Sequence, residues 1–360
     1  MKSLGISVFL GMGQSAEENA AYLAMASHYG YNRLFTSLHI PEADQEMIIA
    51  EGRALLTLAR KFGFAVTADV SPRSWESPGL EPENLKEFGV DTLRADWGFS
   101  PEQLLELSMR SGLRIEFNAS TMDEAALSKF LAAGFGQGSL SAGHNYYPRP
   151  ETGLSYELFC SRSRCIAAKG IPVSAFVPGN SCKRGPIFAG LPTIETHRQM
   201  TAVEAARQLW ASGCVETVFF GDPLVSRTEL EAVAALPREL TEPLELRATA
   251  VAPPEYGTAA MWERPHTNRQ DAAECVVRSQ ESRTRSLSDI LPHPVAQPRR
   301  RGDITIDNSL YGRYAGEMQI VLRDLPPDKR VNVVGQIAEQ DLCLLDCLEP
   351  GRSFCLKEMS

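Results

Sequence analysis

The chain has 360 residues, of which 43% are hydrophobic and 22% are charged. These values are ordinary for a globular protein and exclude a disordered, collagen-like or coiled-coil chain. The 45 acidic and 36 basic residues give a formal net charge of −9. Proteins that bind nucleic acid or membrane surfaces are usually basic, so we expect neither partner. An anionic small molecule would therefore need a local cluster of basic side chains.

The first apolar run predicts a strand and not a signal peptide. It is short, contains Gly5 and Ser7, and precedes a helix that begins at a capping box from Ser15 to Glu18. None of the eight cysteines forms a CxxC pair. We therefore expect free thiols in a cytoplasmic protein, with no metal site and no disulfide framework. Because GxGxxG, phosphate-loop and GxSxG motifs are missing, no cofactor is predicted.

One unit repeats from residue 1 to residue 237: an apolar run, a helix and a glycine that ends the helix. Such alternation favours parallel strands with crossover helices. Eight units predict the α/β class and a (β/α)8 TIM barrel, with a doubly wound open sheet as the alternative. Helix starts are predicted at Ser15, Ser100, Thr121, Ser155, Thr201 and Ser226. The predicted strands are Leu4–Phe9, Arg33–Leu38, Ala65–Val70, Thr92–Trp97, Arg114–Asn118, Leu140–Tyr146, Ile171–Val177 and Thr217–Gly221.

Residues 238–360 follow a different pattern. Helix signals fade, and alternating apolar residues predict a smaller, mostly-β domain that forms a closed or half-closed barrel. Its predicted strands are Leu244–Val251, Glu274–Arg278, Asp303–Asp307, Glu317–Leu322 and Arg330–Gln336.

Three carboxylates lie near the ends of consecutive predicted strands: Asp69, Asp96 and Glu116. In this fold the active site lies at the carboxyl ends of the strands, so these acids are the predicted catalytic residues. Burying an acid is costly unless it is paired or used, and Asp96 with Arg94 could be such a pair. Two carboxylates suit glycoside hydrolysis, while proton abstraction or an oxygen-liganded metal are the alternatives.

Polar residues in the same loops are the predicted substrate contacts. The segment after strand 6 combines imidazole, amide, phenol and guanidinium groups that suit a sugar. The loop after strand 7 carries two adjacent cations that suit a phosphate or a carboxylate. Cys182 could be a nucleophile, but no base for it is identifiable. The predicted contacts are Ser7, His39, Arg94, Asn118, His144, Asn145, Tyr146, Arg149, Lys183, Arg184 and Asp222.

Nine segments, taken together, resemble one bacterial family, the 6-phospho-N-acetylmuramidases, along nearly the whole chain. The resemblance implies a glycoside hydrolase with a TIM barrel followed by a cyclophilin-like β domain. It also implies release of 6-phospho-N-acetylmuramic acid from a β-1,4-linked disaccharide with N-acetylglucosamine, during recycling of the cell wall. That substrate forms in the cytoplasm when a phosphotransferase system imports the fragment. The segments are FTSLHIPE, ADVSP, LRADWGF, IEFNAS, HNYYPRPETGLS, AFVPG, RGPIFAGLPTIETHR, HTNRQD and ITIDNSLYGRYAGEMQI.

The resemblance extends the predicted site into the second domain. His266, Asn268 and Arg269 of HTNRQD would close the site, or would form a structured turn between the domains. Arg184, with Lys183, would hold the 6-phosphate or the lactyl carboxylate. Retention, inversion and attack by the substrate's own acetamido group all remain open.

Two other functions stay open. The first is a barrel enzyme for a different phosphorylated sugar: a hydrolase of another phosphorylated glycoside, or an aldolase or isomerase, although no lysine at a strand end is available to an aldolase. The second is a binding protein without catalysis, because a fold alone does not define a function.

Overall fold

The chain forms two compact units, Met1–Arg238 and Glu239–Ser360. The first unit is a closed barrel. The computed structural model describes residues 2–37, 45–70, 82–95, 98–136, 138–237, 242–262, 265–284 and 290–359. Eight parallel strands pair in chain order, and β8 pairs with β1. This confirms the predicted (β/α)8 barrel. The strands are β1 (Ser3–Ser7), β2 (Arg33–Ser37), β3 (Ala65–Val70), β4 (Thr92–Ala95), β5 (Arg114–Asn118), β6 (Leu140–Gly143), β7 (Val173–Val177) and β8 (Thr217–Phe220).

Each barrel strand is followed by a helix, and most helices begin where their caps predict. Ser15, Thr201 and Ser226 form the expected capping boxes, and Ser100 forms one with Gln103. The helices are α1 (Ala16–His28), α2 (Gln45–Lys61), α3 (Pro82–Phe88), α4 (Pro101–Ser111), α5 (Glu124–Ala132), α6 (Tyr156–Ala167), α7 (Ala202–Ala211) and α8 (Arg227–Ala234).

The predicted cap at Thr121 is wrong. Helix α5 is capped by Asp123, whose carboxylate accepts a hydrogen bond from the backbone N–H of Ala126 at 2.8 Å. The Thr121 hydroxyl lies 3.4 Å from the carbonyl oxygen of Asn118. An aspartate directly before the helix takes the cap, because its oxygen reaches the free N–H groups of the first turn.

Aromatic rings fill the centre of the barrel. The Phe176 ring lies 5.2 Å from that of Phe35 and 5.4 Å from that of Phe219. Gly5 makes room for this packing, since a β-carbon there would come within 2.1 Å of the Phe219 ring. Phe9 and Tyr146 lie 6.1 Å apart and extend the cluster toward the loops that follow the strands. We call Phe9, Phe35, Tyr146, Phe176 and Phe219 the aromatic floor.

The second unit is a smaller, mostly-β domain, as predicted. Its seven strands form one sheet in the order β10-β15-β9-β14-β12-β13-β11, with β15 and β9 parallel. The sequence missed β10 and β15. The strands are β9 (Leu244–Ala250), β10 (His266–Thr267), β11 (Val276–Arg278), β12 (Asp303–Asp307), β13 (Met318–Val321), β14 (Val331–Ile337) and β15 (Ser353–Glu358).

No helix in the described ranges is long and apolar enough to cross a membrane. All eight cysteines lie in those ranges, and each is a free thiol.

Candidate active site

A buried ion pair lies inside the barrel between β4 and β5. Nη1 of Arg94 is 3.1 Å from Oε1 of Glu116, and the two residues are 3% and 6% exposed. Arg94 also donates to the carbonyl oxygen of Gly143 at 2.9 Å and to Oδ1 of Asn145 at 2.5 Å. A β-carbon on Gly143 would collide with both charged groups, so this position needs a glycine. The pair fixes the guanidinium and, through it, the Asn145 amide.

Glu116 faces the amino-terminal end of the barrel. It lines a cavity of about 900 Å³ together with residues that begin the strands, such as Ser3, Thr92 and Ser141. Burial raises the pKa of the Glu116 carboxyl, and the charge of Arg94 opposes that rise. Chemistry in (β/α)8 barrels takes place at the opposite end, so this cavity is not the candidate active site. Glu116 therefore contacts the Arg94 guanidinium from the amino-terminal side of the barrel.

Asp69 is the next-to-last residue of β3 and therefore lies near the carboxyl end of the barrel. It is half-buried, and its Oδ2 lies 3.5 Å from the Ser37 hydroxyl. Its Cα pairs with that of Arg94 across the sheet. Burial raises the pKa of the Tyr146 phenol, Arg184 lowers it, and the charge of Asp69 raises it. The charge of Asp69 thus acts on the Tyr146 hydroxyl. The predicted residues His39 and Asp96 lie outside the described residues.

Arg184, in the loop after β7, lies on the aromatic floor. Its guanidinium carbon is 4.4 Å from the Phe9 ring centre and 5.0 Å from that of Tyr146. Nη1 donates to the Tyr146 hydroxyl at 3.0 Å. The Nε atom is buried and has no hydrogen-bond partner within the described ranges. A guanidinium with an unused, desolvated donor is suited to an anionic oxygen.

Asp222, which follows β8, organises the loop that carries Arg184. Its carboxylate accepts backbone N–H groups from Gly179 at 2.9 Å, Arg184 at 2.9 Å and Leu191 at 3.0 Å. The residue is completely buried, and burial raises the pKa of its carboxyl group. Sequence reasoning proposed Asp222 as a substrate contact, whereas its side chain is occupied by the loop. Lys183, also in this loop, is half-buried near Gly190.

An ion pair that the sequence did not single out joins the loops after β6 and β7. Arg198 donates to Glu195 at 2.7 Å, and also to the carbonyl oxygens of Gly190 and Tyr147, both at 3.0 Å. Glu195 accepts the N–H of Gly153 at 2.7 Å. The hydrogen bond from Arg198 lowers the pKa of Glu195 to about 2. Both residues lie in the segment RGPIFAGLPTIETHR, which carries the family resemblance, but they are distant from the strand ends, and nothing in the sequence indicates that they pair.

Three residues predicted to contact the substrate have side chains that form hydrogen bonds within the protein instead. His144 points away from the barrel interior, with Nδ1 3.1 Å from the Ser120 hydroxyl and Nε2 2.9 Å from that of Ser163. Burial, with a smaller contribution from Arg94, lowers its pKa to about 3. The Ser7 hydroxyl donates to a backbone carbonyl in β8 at 2.7 Å. The side-chain Oδ1 of Asn118 accepts a hydrogen bond from the Ser120 N–H at 2.9 Å.

The two remaining candidates of the barrel lie nearer its surface. Arg149 is exposed in the loop after β6. Burial raises the pKa of the Cys182 thiol, which counts against its use as a nucleophile, because the thiolate is the reactive form. No three His, Cys, Asp or Glu residues of the described chain are grouped so as to hold a metal ion.

The three residues of the second unit that were predicted to contact the substrate form hydrogen bonds within that unit. His266 is 1% exposed, with Nδ1 2.9 Å from the Ser279 hydroxyl. Asn268 is 3% exposed and donates to the Leu348 carbonyl at 2.7 Å. Arg269 makes a bidentate pair with Asp271, at 2.7 Å for each bond. These contacts order the turns of the β domain.

The fold and the groups at its carboxyl end are those of the (β/α)8-barrel class, in which the loops after the strands carry the functional side chains. Two family models identify the family. Residues 4–235 match the N-terminal model and residues 244–357 the C-terminal model of 6-phospho-N-acetylmuramidase. The chain therefore belongs to the 6-phospho-N-acetylmuramidase family, a family of glycosidases.

Two solved structures are similar along their whole length. An uncharacterised B. cereus protein is 31% identical, with a TM-score of 0.74 and coverage of 99% of both chains. A conserved Enterococcus faecalis protein of unknown function is 33% identical, with a TM-score of 0.60 and coverage of 99% of this chain and 97% of that chain. No curated protein matches the chain.

Proposed function

We propose that the protein hydrolyses 6-phospho-N-acetylmuramyl-β-1,4-N-acetylglucosamine and releases 6-phospho-N-acetylmuramic acid. The observation that carries this proposal is the match of both family models over residues 4–235 and 244–357. The position of Arg184 on the aromatic floor supports it, because the substrate carries a phosphate and a carboxylate. Arg184, helped by Lys183, binds one of these anions.

The catalytic acid and its partner in this proposal are Asp69 and Asp96. One carboxyl group protonates the glycosidic oxygen, and the other stabilises positive charge at the anomeric carbon or activates water. Glu116 acts through Arg94, to which it is paired at 3.1 Å. Arg94 in turn holds the Asn145 amide, which is available to a sugar hydroxyl or acetamido group.

The setting proposed for this reaction is recycling of cell-wall fragments in the cytoplasm. The eight free thiols are consistent with a reducing compartment. The net charge of −9 disfavours nucleic acid and anionic membranes as partners. A small phosphorylated amino-sugar disaccharide is the proposed partner, with no cofactor.

The testing experiment measures release of N-acetylglucosamine from the phosphorylated and the unphosphorylated disaccharide. We expect cleavage of the phosphorylated compound alone.

Arg184→Ala is expected to raise KM for the phosphorylated disaccharide about tenfold, since a charge-assisted contact is lost. Arg110→Ala, on the exposed face of α4, is the matched cation control and should leave KM within twofold, while Arg149→Ala tests the predicted contribution of that residue. No cleavage of either sugar by folded protein would contradict the proposal, and a change in KM below threefold would contradict the role of Arg184.

A further inference from the structure

Phe188, in the loop after β7, combines an exposed ring with a strained backbone. Its φ is +55°, in the left-handed region, and 65% of the residue is exposed. A bulky side chain is rarely found in that region, and such strain is concentrated at functional sites. An exposed ring contributes little burial energy to offset the strain. The stability of the fold therefore gives no reason for phenylalanine at this position.

The non-glycine residues with a positive φ lie in one region of the barrel. In the described chain they occur at Glu151, Phe188 and Leu224, which belong to the loops after β6, β7 and β8. These loops lie at the carboxyl end of the barrel, where the candidate site is. Among the three, only Phe188 carries an aromatic ring.

The loop holds this ring in a defined place. Asp222 fixes the two ends of the loop through the N–H groups of Gly179 and Leu191, and Arg198 binds the Gly190 carbonyl. Within the loop, the Phe188 N–H donates to the Arg184 carbonyl at 3.2 Å. The ring lies against Gly185, where a β-carbon would come within 3.0 Å of its Cζ atom. The ring is thus presented beside the segment that carries Arg184.

We propose that Phe188 binds the leaving N-acetylglucosamine by packing against the C–H face of that sugar. This inference rests on the proposed function. An enzyme that releases a terminal phosphosugar holds that sugar innermost, here next to Arg184 on the aromatic floor. The second sugar then lies outermost, which is where the exposed ring is. An aromatic face contributes contact area at low entropic cost, and this is worth most to a ligand that lacks charge.

The test compares two substrates that differ only in the leaving group: the phosphorylated disaccharide and 6-phospho-N-acetylmuramyl fluoride. In Phe188→Gly, the ratio of kcat/KM for the disaccharide to that for the fluoride is expected to fall about fivefold to tenfold. Phe188→Trp should keep the ratio. Ile187→Ala, at the neighbouring exposed residue, is the matched control and should also keep it. Because glycine accepts a positive φ, Phe188→Gly should melt at or above the temperature of the wild type.

Two results would overturn the inference: an unchanged ratio in Phe188→Gly, or an equal loss on both substrates. If the wild type cleaves neither compound, the proposed function fails, and a second measurement decides the inference separately. The protein is labelled with 4-fluorophenylalanine and titrated with N-acetylglucosamine. A saturable shift of the fluorine signal that is absent from Phe188→Leu would support sugar binding by this ring. No shift of that signal would refute it.

Discussion

The two ends of the barrel differ in what fills them. At the carboxyl end, Arg184 lies on the aromatic floor, and the charge of Asp69 acts on Tyr146 of that floor. At the amino-terminal end, small hydroxyl residues such as Thr92 and Ser141 surround a cavity of about 900 Å³. Glu116 lines that cavity, although it lies in a barrel strand, as Asp69 does. Two acids in similar sequence positions therefore lie in different environments, and this difference supports the proposal that Asp69 is catalytic and that Glu116 positions Arg94.

The largest expected effect comes from the acid at the carboxyl end. Asp69→Asn keeps the size of the side chain and removes its charge and its acidity. We expect kcat/KM for the phosphorylated disaccharide to fall about 10³-fold, within the range for loss of a general acid or base. Initial rates measure this, and the melting temperature shows whether the fold persists. Glu106→Gln, on the exposed face of α4, is the matched control and should stay within twofold. A loss of less than tenfold in Asp69→Asn would remove Asp69 from catalysis.

Glu116 should behave in the opposite way, with a large effect on stability and a smaller one on rate. Glu116→Gln leaves the Arg94 charge buried without its counter-charge, which we expect to cost about 3 kcal/mol in the free energy of unfolding. The rate should fall about tenfold, because Arg94 and Asn145 lose their fixed positions. Denaturant unfolding and initial rates report the two quantities.

A second variant at the amino-terminal end sharpens this contrast. Thr92→Val removes a hydroxyl from the cavity wall without touching the ion pair, so activity should stay within twofold. If Glu116→Gln instead lost as much activity as Asp69→Asn at unchanged stability, Glu116 would be a catalytic group, and the division between the two ends would be wrong.

The barrel could be predicted from sequence because its signals are local. A capping residue such as Ser226 and a closing glycine act within one turn of helix, so their spacing gives the repeat directly. The β domain was harder, because strands β10 and β15 pair across a separation of more than 80 residues and carry no local signal. Short strands of this kind are defined by their partners.

The site was predictable by position but not by orientation. The fold predicts the location of Asp69 near the end of β3 and of Arg184 in the loop after β7, because strand ends and the loops that follow them lie at the carboxyl end of the barrel. His144 follows β6 yet points toward α6, since neighbouring side chains of a strand alternate between its two faces. Asp222 is a strand-end acid whose partners are three backbone N–H groups, which no side-chain pattern records. Burial and pairing therefore decide which strand-end residues remain available to a substrate.

The smallest expected effect concerns the ion pair that joins the loops at the carboxyl end, and it depends on pH. Arg198 holds the folded-state pKa of Glu195 near 2, below its ordinary value of 4.5. The carboxylate thus stabilises the folded protein above pH 4.5, and this contribution is lost as the pH falls from 4.5 through 2. The side chain is 29% exposed, so screening reduces the contribution to about 1 kcal/mol.

We expect Glu195→Gln to melt at a lower temperature than the wild type at pH 6, with a difference that shrinks by pH 3.5. Glu204→Gln, which alters an exposed capping box, provides a control for the general effect of removing an acid. Since Arg198 connects the Arg184 loop to the loop after β6, Glu195→Gln should also raise KM more than it lowers kcat. A melting difference that stays constant from pH 6 to pH 3.5 would mean that the charge of Glu195 contributes nothing to holding the two loops together.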